Sequence, residues 1–158
     1  MSKITPCLWF NGTGEEAAQL YVSLFSDSAI TSVGRYGEGM PFPAGTAMMV
    51  DFTLAGQSFQ ALNGGPQFPH SEAISMSVLC EDQAEVDHYW NALTEGGAES
   101  RCGWLKDRFG VSWQIVPACL GRLSRLGDPA ATGRMMMAMM GMAKMDVAAL
   151  EKAYHTAP

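Results

Sequence analysis

Positive charge, histidine and long apolar runs are all scarce in this chain. Ten Lys and Arg stand against 16 Asp and Glu, a formal net charge of −6. Proteins that hold a phosphate backbone neutralise it with Lys and Arg. Nucleic acid is therefore not expected as a partner, and an anionic membrane surface is excluded on the same ground. No apolar run approaches the length of about 18 residues that marks a membrane span. The opening residues, Met1-Ser-Lys-Ile-Thr-Pro6, hold no apolar signal core, so a cytoplasmic protein is expected. Cys7, Cys80, Cys102 and Cys119 are far apart and form no CxxC. They read as free thiols in a reducing compartment rather than as zinc ligands. The three histidines, His70, His88 and His155, make no metal-binding pattern of the HxH or HExxH kind. The segment 37–45 holds three glycines but no following Gly-Lys-Ser/Thr, so it is no phosphate loop. With Met40 and Phe42 between its glycines it reads instead as a candidate lid.

What is present is enough apolar surface for a core: 158 residues, 47% of them hydrophobic. That length fits a single domain spanning 1–158. Residues 4–10 read as a strand, with Pro6 tolerated near its start. Asn11-Gly-Thr-Gly14 is a turn. A helix then runs from Glu15 to Phe25, with Ala18, Tyr21, Val22 and Phe25 on one face. Glu15 and Glu16 in its first turn complement the helix dipole, a structural role. Strands follow at 29–36, 46–54 and 57–62, the last two joined by the tight Ala55-Gly56 turn.

A second half repeats the first. A strand alternates over 73–80, and a helix over 81–93 carries Val86, Tyr89, Trp90 and Leu93. Strands at about 99–105 and 111–117 flank the turn Asp107-Arg-Phe-Gly110, with Lys106-Asp107-Arg108 read as a solvated charged turn. Tyr21 and Tyr89 hold the same place in their helices. Gly56-Gln-Ser-Phe-Gln60 is matched by Gly110-Val-Ser-Trp-Gln114. The expected boundaries are a first module at 3–66, a second at 72–117 and a helical tail at 128–155. In the tail, Asp128-Pro129 and Asp146 are helix caps. Methionines 135, 136, 137, 139, 140, 142 and 145 crowd a helix expected over 129–145. Met135, Met139 and Met142 share one stripe, and the rest extend the apolar surface around the helix.

This doubled unit resembles the vicinal-oxygen-chelate (glyoxalase/bleomycin-resistance) superfamily. Four strings resemble its PhnB-like branch, labelled 3-demethylubiquinone-9 3-methyltransferase: Ile4-Thr-Pro-Cys-Leu-Trp-Phe-Asn-Gly12, Leu62-Asn-Gly-Gly-Pro66, Gly103-Trp-Leu-Lys-Asp-Arg-Phe-Gly-Val-Ser-Trp-Gln-Ile-Val-Pro117 and the Met-rich tail through Tyr154. The resemblance implies an α+β fold: two βαβββ modules forming a curved, cup-shaped mixed sheet, with a C-terminal helical extension. It also implies ligands in the cup and a homodimer. Superfamily members that use a metal draw one ligand from the first and one from the last strand of each module. Carried onto this sequence, those positions are Thr5, Gln60, Ala73 and Gln114. A methyl, a hydroxyl and two neutral amides cannot replace the hydration shell of a transition metal. No metal and no cofactor are therefore expected.

Alternation with Gln60 and Gln114 facing the cup places Ser58, Leu62, Ser112 and Val116 beside them. Thr5, Cys7 and Trp9 on the first strand, and Ala73, Ser75, Ser77 and Leu79 on the fifth, face the same way. The expected ligand-binding residues are Trp9, Cys7, Gln60, Gln114, Thr5 and Ser75, a neutral lining suited to an unknown small neutral or aromatic molecule. No catalytic residue is assigned. Three classes of function stay open: metal-independent small-molecule binding, an enzyme such as the methyltransferase of the family label, and an interaction module built on the Met-rich helix. Against the methyltransferase stands the absence of a Gly-rich turn of the doubly wound methyl-donor fold.

Overall fold

The computed structural model describes residues 3–156. The chain divides into two compact units, 1–70 and 71–158. In the first, β1 (Cys7–Phe10), α1 (Gly14–Leu24), β2 (Ala29–Arg35), β3 (Ala47–Leu54) and β4 (Gln57–Asn63) follow in order. The sheet order is β1-β4-β3-β2. β1 runs parallel to β4, and the remaining pairs are antiparallel. The second unit repeats this plan with β5 (Met76–Cys80), α2 (Gln83–Thr94), β6 (Ala98–Glu99), β7 (Trp104–Lys106) and β8 (Ser112–Pro117), in the order β5-β8-β7-β6. The α+β class and the duplicated module are thus both present. Three helices, α3 (Cys119–Ser124), α4 (Pro129–Met140) and α5 (Val147–His155), complete the second unit.

Each sheet presents one face to its helix. In the first unit Leu8, Phe10, Val50, Phe52, Phe59 and Ala61 are buried together with Ala17, Ala18 and Tyr21 of α1. In the second, Leu105, Trp113 and Ile115 are buried with Val86, Trp90 and Leu93 of α2. Each fully buried side chain of this size contributes about 1.5–3 kcal/mol of transfer free energy. The alternation in β3 and β4 follows from this: successive residues point to opposite faces, so one set is buried and the other is left on the open face.

Several elements differ from their expected extents. β1 begins at Cys7, because Pro6 lacks an N–H for the ladder; its carbonyl still accepts the Gln60 N–H at 2.9 Å. β5 begins at Met76, which leaves Ala73 and Ser75 ahead of the strand. The strand expected over 99–105 is broken at 100–103. There the N–H groups of Cys102 and Gly103 donate to Met142 and Ala143 carbonyls at 2.9 Å, and Cys102 takes a positive φ of 57°. Those bonds come from the tail, out of reach of local pattern.

The helix expected over 129–145 ends at Met140, and α3 was not anticipated. Asp128 caps α4 through the Ala131 N–H at 3.0 Å, and Asp146 caps α5 through the Ala149 N–H at 2.9 Å. The expected methionine stripe packs inward. Met135 is fully buried with Leu123, Leu150 and Tyr154, while Met139 and Met142 cover the edge of that cluster. Met136, Met137 and Met140 face out. Among the described residues no helix is long and apolar enough to cross a membrane.

Candidate functional site

The open face of the first sheet is built from two adjacent rows of side chains that run straight across it. Register places Cys7 beside Gln60, Gln60 beside Asp51, and Asp51 beside Ser32, one residue from each strand. The next row is Trp9, Leu62, Met49 and Gly34. Rows on one face are two residues apart along each strand, about 7 Å. One row is therefore polar and the other apolar, at a distance that a single small molecule spans.

In the polar row Asp51 is the hub. Its Oδ1 accepts a hydrogen bond from Gln60 Nε2 at 2.8 Å, and its Oδ2 accepts one from Ser32 Oγ at 2.7 Å. These two donors, Ser32 first, hold the Asp51 carboxyl below the usual carboxylate range. Cys7 is affected in the opposite sense. Partial burial, and then the negative charge of Asp51, push its thiol up. The thiolate is the nucleophilic form. Cys7 therefore stands at neutral pH as a protonated, polarizable contact.

In the apolar row Trp9 is fixed by its surroundings. Its Nε1–H donates to the Gly65 carbonyl at 2.8 Å, and Phe68 meets its ring edge-on with centroids 4.9 Å apart. A Cβ at position 64 would lie 2.3 Å from two indole carbons, so only glycine lets the backbone pass so close. Asn63 holds the same loop from inside. Fully buried, it accepts the Gly14 N–H through Oδ1 at 2.9 Å and donates through Nδ2 to the Ala47 carbonyl at 2.9 Å. Tyr36 Oη donates to the Asn63 carbonyl. The string Leu62-Asn-Gly-Gly-Pro66 is thus a bracket that seats Trp9 at the end of the platform.

The 37–45 loop, the candidate lid, is tied at its base. The Tyr36 N–H donates to Thr46, the Gly45 N–H donates to Tyr36, and Phe42 stacks on Tyr36 at 5.2 Å. Glu15 grips Arg35 through two bonds of 2.8 and 3.0 Å, so it ties α1 to β2.

Within the second sheet, Gln114 also lies on the face away from its helix, beside Ser77 and Trp104. Its Nε2 donates to Ser75 Oγ at 2.9 Å. Of the expected ligand-binding residues, the structure therefore brings Cys7, Trp9 and Gln60 together on one sheet, and Ser75 and Gln114 together on the other. Thr5 precedes β1 and lies outside the ladder.

Three expectations about this chemistry are corrected. The lining is not neutral, because Asp51 occupies the centre of the first open face. The signal was in the sequence: with Val50, Phe52 and Leu54 facing the core, Asp51 has to face the other way. Asp107 is not a solvated turn residue either. It is 3% exposed and accepts the Phe109 and Val111 N–H groups at 2.9 and 3.0 Å and the Trp113 indole N–H at 2.9 Å. Ser112 is buried as well, and its Oγ finds no partner among the described residues. His70 lies against the core residue Phe10, with ring centroids 5.2 Å apart.

Thr5, Gln60, Ala73 and Gln114, the positions at which the resemblance leads one to expect metal ligands, carry only neutral groups, which do not fit a divalent ion. Among the described residues no group of three His, Cys, Asp or Glu side chains is placed to hold one.

The duplicated module and its open sheet face agree with the α+β fold expected from the resemblance. A family profile described as 3-demethylubiquinone-9 3-methyltransferase matches residues 2–116. The chain belongs to that family. It is similar to a PhnB protein from Bacillus cereus at 38% identity, with a TM-score of 0.70, covering 74% of this chain and all of the other. A Pseudomonas aeruginosa protein matches at 26% identity and a TM-score of 0.61, over 74% of this chain and 98% of its own. A fosfomycin resistance protein from Listeria monocytogenes shares the fold at 12% identity and a TM-score of 0.51, over 78% of this chain and 97% of its own. No curated protein matches.

Proposed function

We propose that the protein binds a small, flat, aromatic molecule on the open face of its first sheet, without a metal ion. The observation that carries this reading is the pair of rows: Trp9, Leu62 and Met49 offer an apolar bed, and Cys7, Gln60 and Asp51 offer directional polar contacts beside it. Such a combination, mostly apolar with a few placed polar groups, is the usual make-up of small-molecule sites. Indole, thioether and thiol all make favourable contacts with an aromatic ring. The raised Cys7 pKa supports binding over covalent chemistry.

The family label favours a second reading, an enzyme that methylates a quinone-type molecule. The sheet order argues against the usual methyl-donor site. That site needs parallel neighbours joined through a helix, with a Gly-rich turn aimed at the cofactor. Here the strand after α1 is β2, at the far edge and antiparallel to β3. The Gly14 N–H at the start of α1 is already taken by Asn63.

A thermal-shift screen of quinones and flat aromatics against the full chain tests the first reading, with Trp9→Ala as the comparison. Stabilisation of the native protein that Trp9→Ala lacks is the expected result; no stabilisation by any of them overturns it. Calorimetric titration with S-adenosylmethionine tests the second, since micromolar binding would restore the enzyme.

A further inference from the structure

Resting on that reading of the platform, we infer that its ligand is an organic cation: an aromatic ring covers the Trp9–Leu62–Met49 row, and a charged nitrogen two or three bonds away docks on Asp51. The carboxylate stands at the centre of the polar row, between β4 and β2, and is half-buried. Both of its oxygens are held, one by Gln60 and one by Ser32, so its orientation is set before any ligand arrives. A carboxylate offers about four lone-pair positions, and these two bonds use two of them. The others, with the full negative charge, are left for a guest.

Among the described residues no Lys or Arg forms an ion pair with Asp51. Arg35 pairs instead with Glu15, Lys106 with Glu72, Arg122 with Glu151 and Lys144 with Asp87. Arg35, on the neighbouring strand, is committed to Glu15 by two bonds and to the Gly45 carbonyl by a third. The bland account is that Asp51 only ties β2 to β4. An asparagine would accept from Ser32 and pair with Gln60 without removing a charge from water, so that account leaves the charge itself unexplained. A cationic guest explains it. An ammonium group donates to the remaining lone pairs and gains the charge-assisted contact. A neutral guest forgoes that contact, and an anionic one is repelled. The row spacing of about 7 Å sets the reach: the charged nitrogen belongs on a short side chain, not on the ring.

The test uses two probes with the same ring and chain length, naphthylethylamine and naphthylethanol, titrated calorimetrically into the full chain at neutral pH. The amine is expected to bind about tenfold more tightly than the alcohol, with its advantage shrinking as ionic strength rises from about 0.05 M to about 0.5 M. In Asp51→Asn, with its fold checked by circular dichroism, the two probes should converge to within about twofold. Equal binding of both probes by the native chain overturns the inference and leaves the platform reading standing. A preference that persists in a folded Asp51→Asn protein also overturns it. Binding of neither probe also overturns the inference, and the platform reading is then decided by the thermal-shift screen. The native comparison and its salt dependence decide the matter even where the variant does not fold.

Discussion

Replacing Asn63 by alanine isolates the bracket beneath the platform. Helix α1 begins at Gly14 without a side-chain cap from its own Thr13. An uncapped helix end leaves backbone N–H groups needing partners from elsewhere. Asn63 supplies one from a distant strand, and its other amide atom satisfies Ala47 at the start of β3. Alanine removes both bonds at a site only 1% exposed. An orphaned buried donor or acceptor costs about 1–3 kcal/mol, so the two together cost about 2–6 kcal/mol. Near the middle of that range the midpoint of thermal unfolding falls by about 8–16 °C for a chain of this size. Urea unfolding of the native chain and Asn63→Ala gives the free energy directly. Gln57→Ala, an exposed change in the same strand, serves as the control and should stay within about 0.5 kcal/mol. Because the chain forms two compact units, far-ultraviolet dichroism and tryptophan emission must give coincident transitions before one free energy is assigned. A loss below about 1 kcal/mol would refute the reasoning, since it would mean that Gly14 and Ala47 need no partner.

Further outcomes follow from the same geometry. Asp107→Asn turns an acceptor-only group into one that points an N–H₂ at either the Trp113 indole N–H or the Phe109 and Val111 amides; urea unfolding should show a loss of about 2 kcal/mol, and an unchanged midpoint would refute the account. Gly64→Ala drives a methyl into the Trp9 ring, which should cost about 1–3 kcal/mol and alter tryptophan emission; a protein with native emission and stability would refute that. Asp51 has a folded-state pKa below its unfolded value, so its contribution to stability is present above about pH 4 and is lost as pH falls through the lowered value. Asp51→Asn should therefore flatten the acid limb of the stability curve, and an equally steep limb would count against the Ser32 and Gln60 contacts.

The sequence made the repeat legible because packing writes it twice. Phe59 and Ala61, and likewise Trp113 and Ile115, must face a helix, so Gln60 and Gln114 must face away. The caps Asp128 and Asp146 were legible for the same kind of reason: their partners lie three residues on. What was not legible depends on how a turn closes around a side chain or on chain from elsewhere. Lys106-Asp107-Arg108 looks like a solvated turn until the turn's own amides and Trp113 close around the carboxylate. The strand break at 100–103 is held by carbonyls of the tail. Met135 reads as one methionine among seven until α5 supplies Leu150 and Tyr154 to bury it.

The two open faces show where such a repeat is free to diverge. Both modules place a glutamine in the middle of the last strand, beside the first strand of the same module. Across the next ladder, Gln60 faces Asp51 while Gln114 faces Trp104. The neighbours on the other side are a thiol in one module and a hydroxyl in the other, Cys7 and Ser77. Gln60 uses its amide to orient a carboxylate; Gln114 uses the same group to hold the Ser75 hydroxyl. Core-facing positions are bound by volume, since a change of even one methylene is felt in a close-packed interior. Open-face positions are bound only by solubility and by whatever they contact. A duplicated fold therefore keeps its buried alternation and differentiates on the opposite face. In the glutamine row that difference places a carboxylate on the first sheet and an indole on the second.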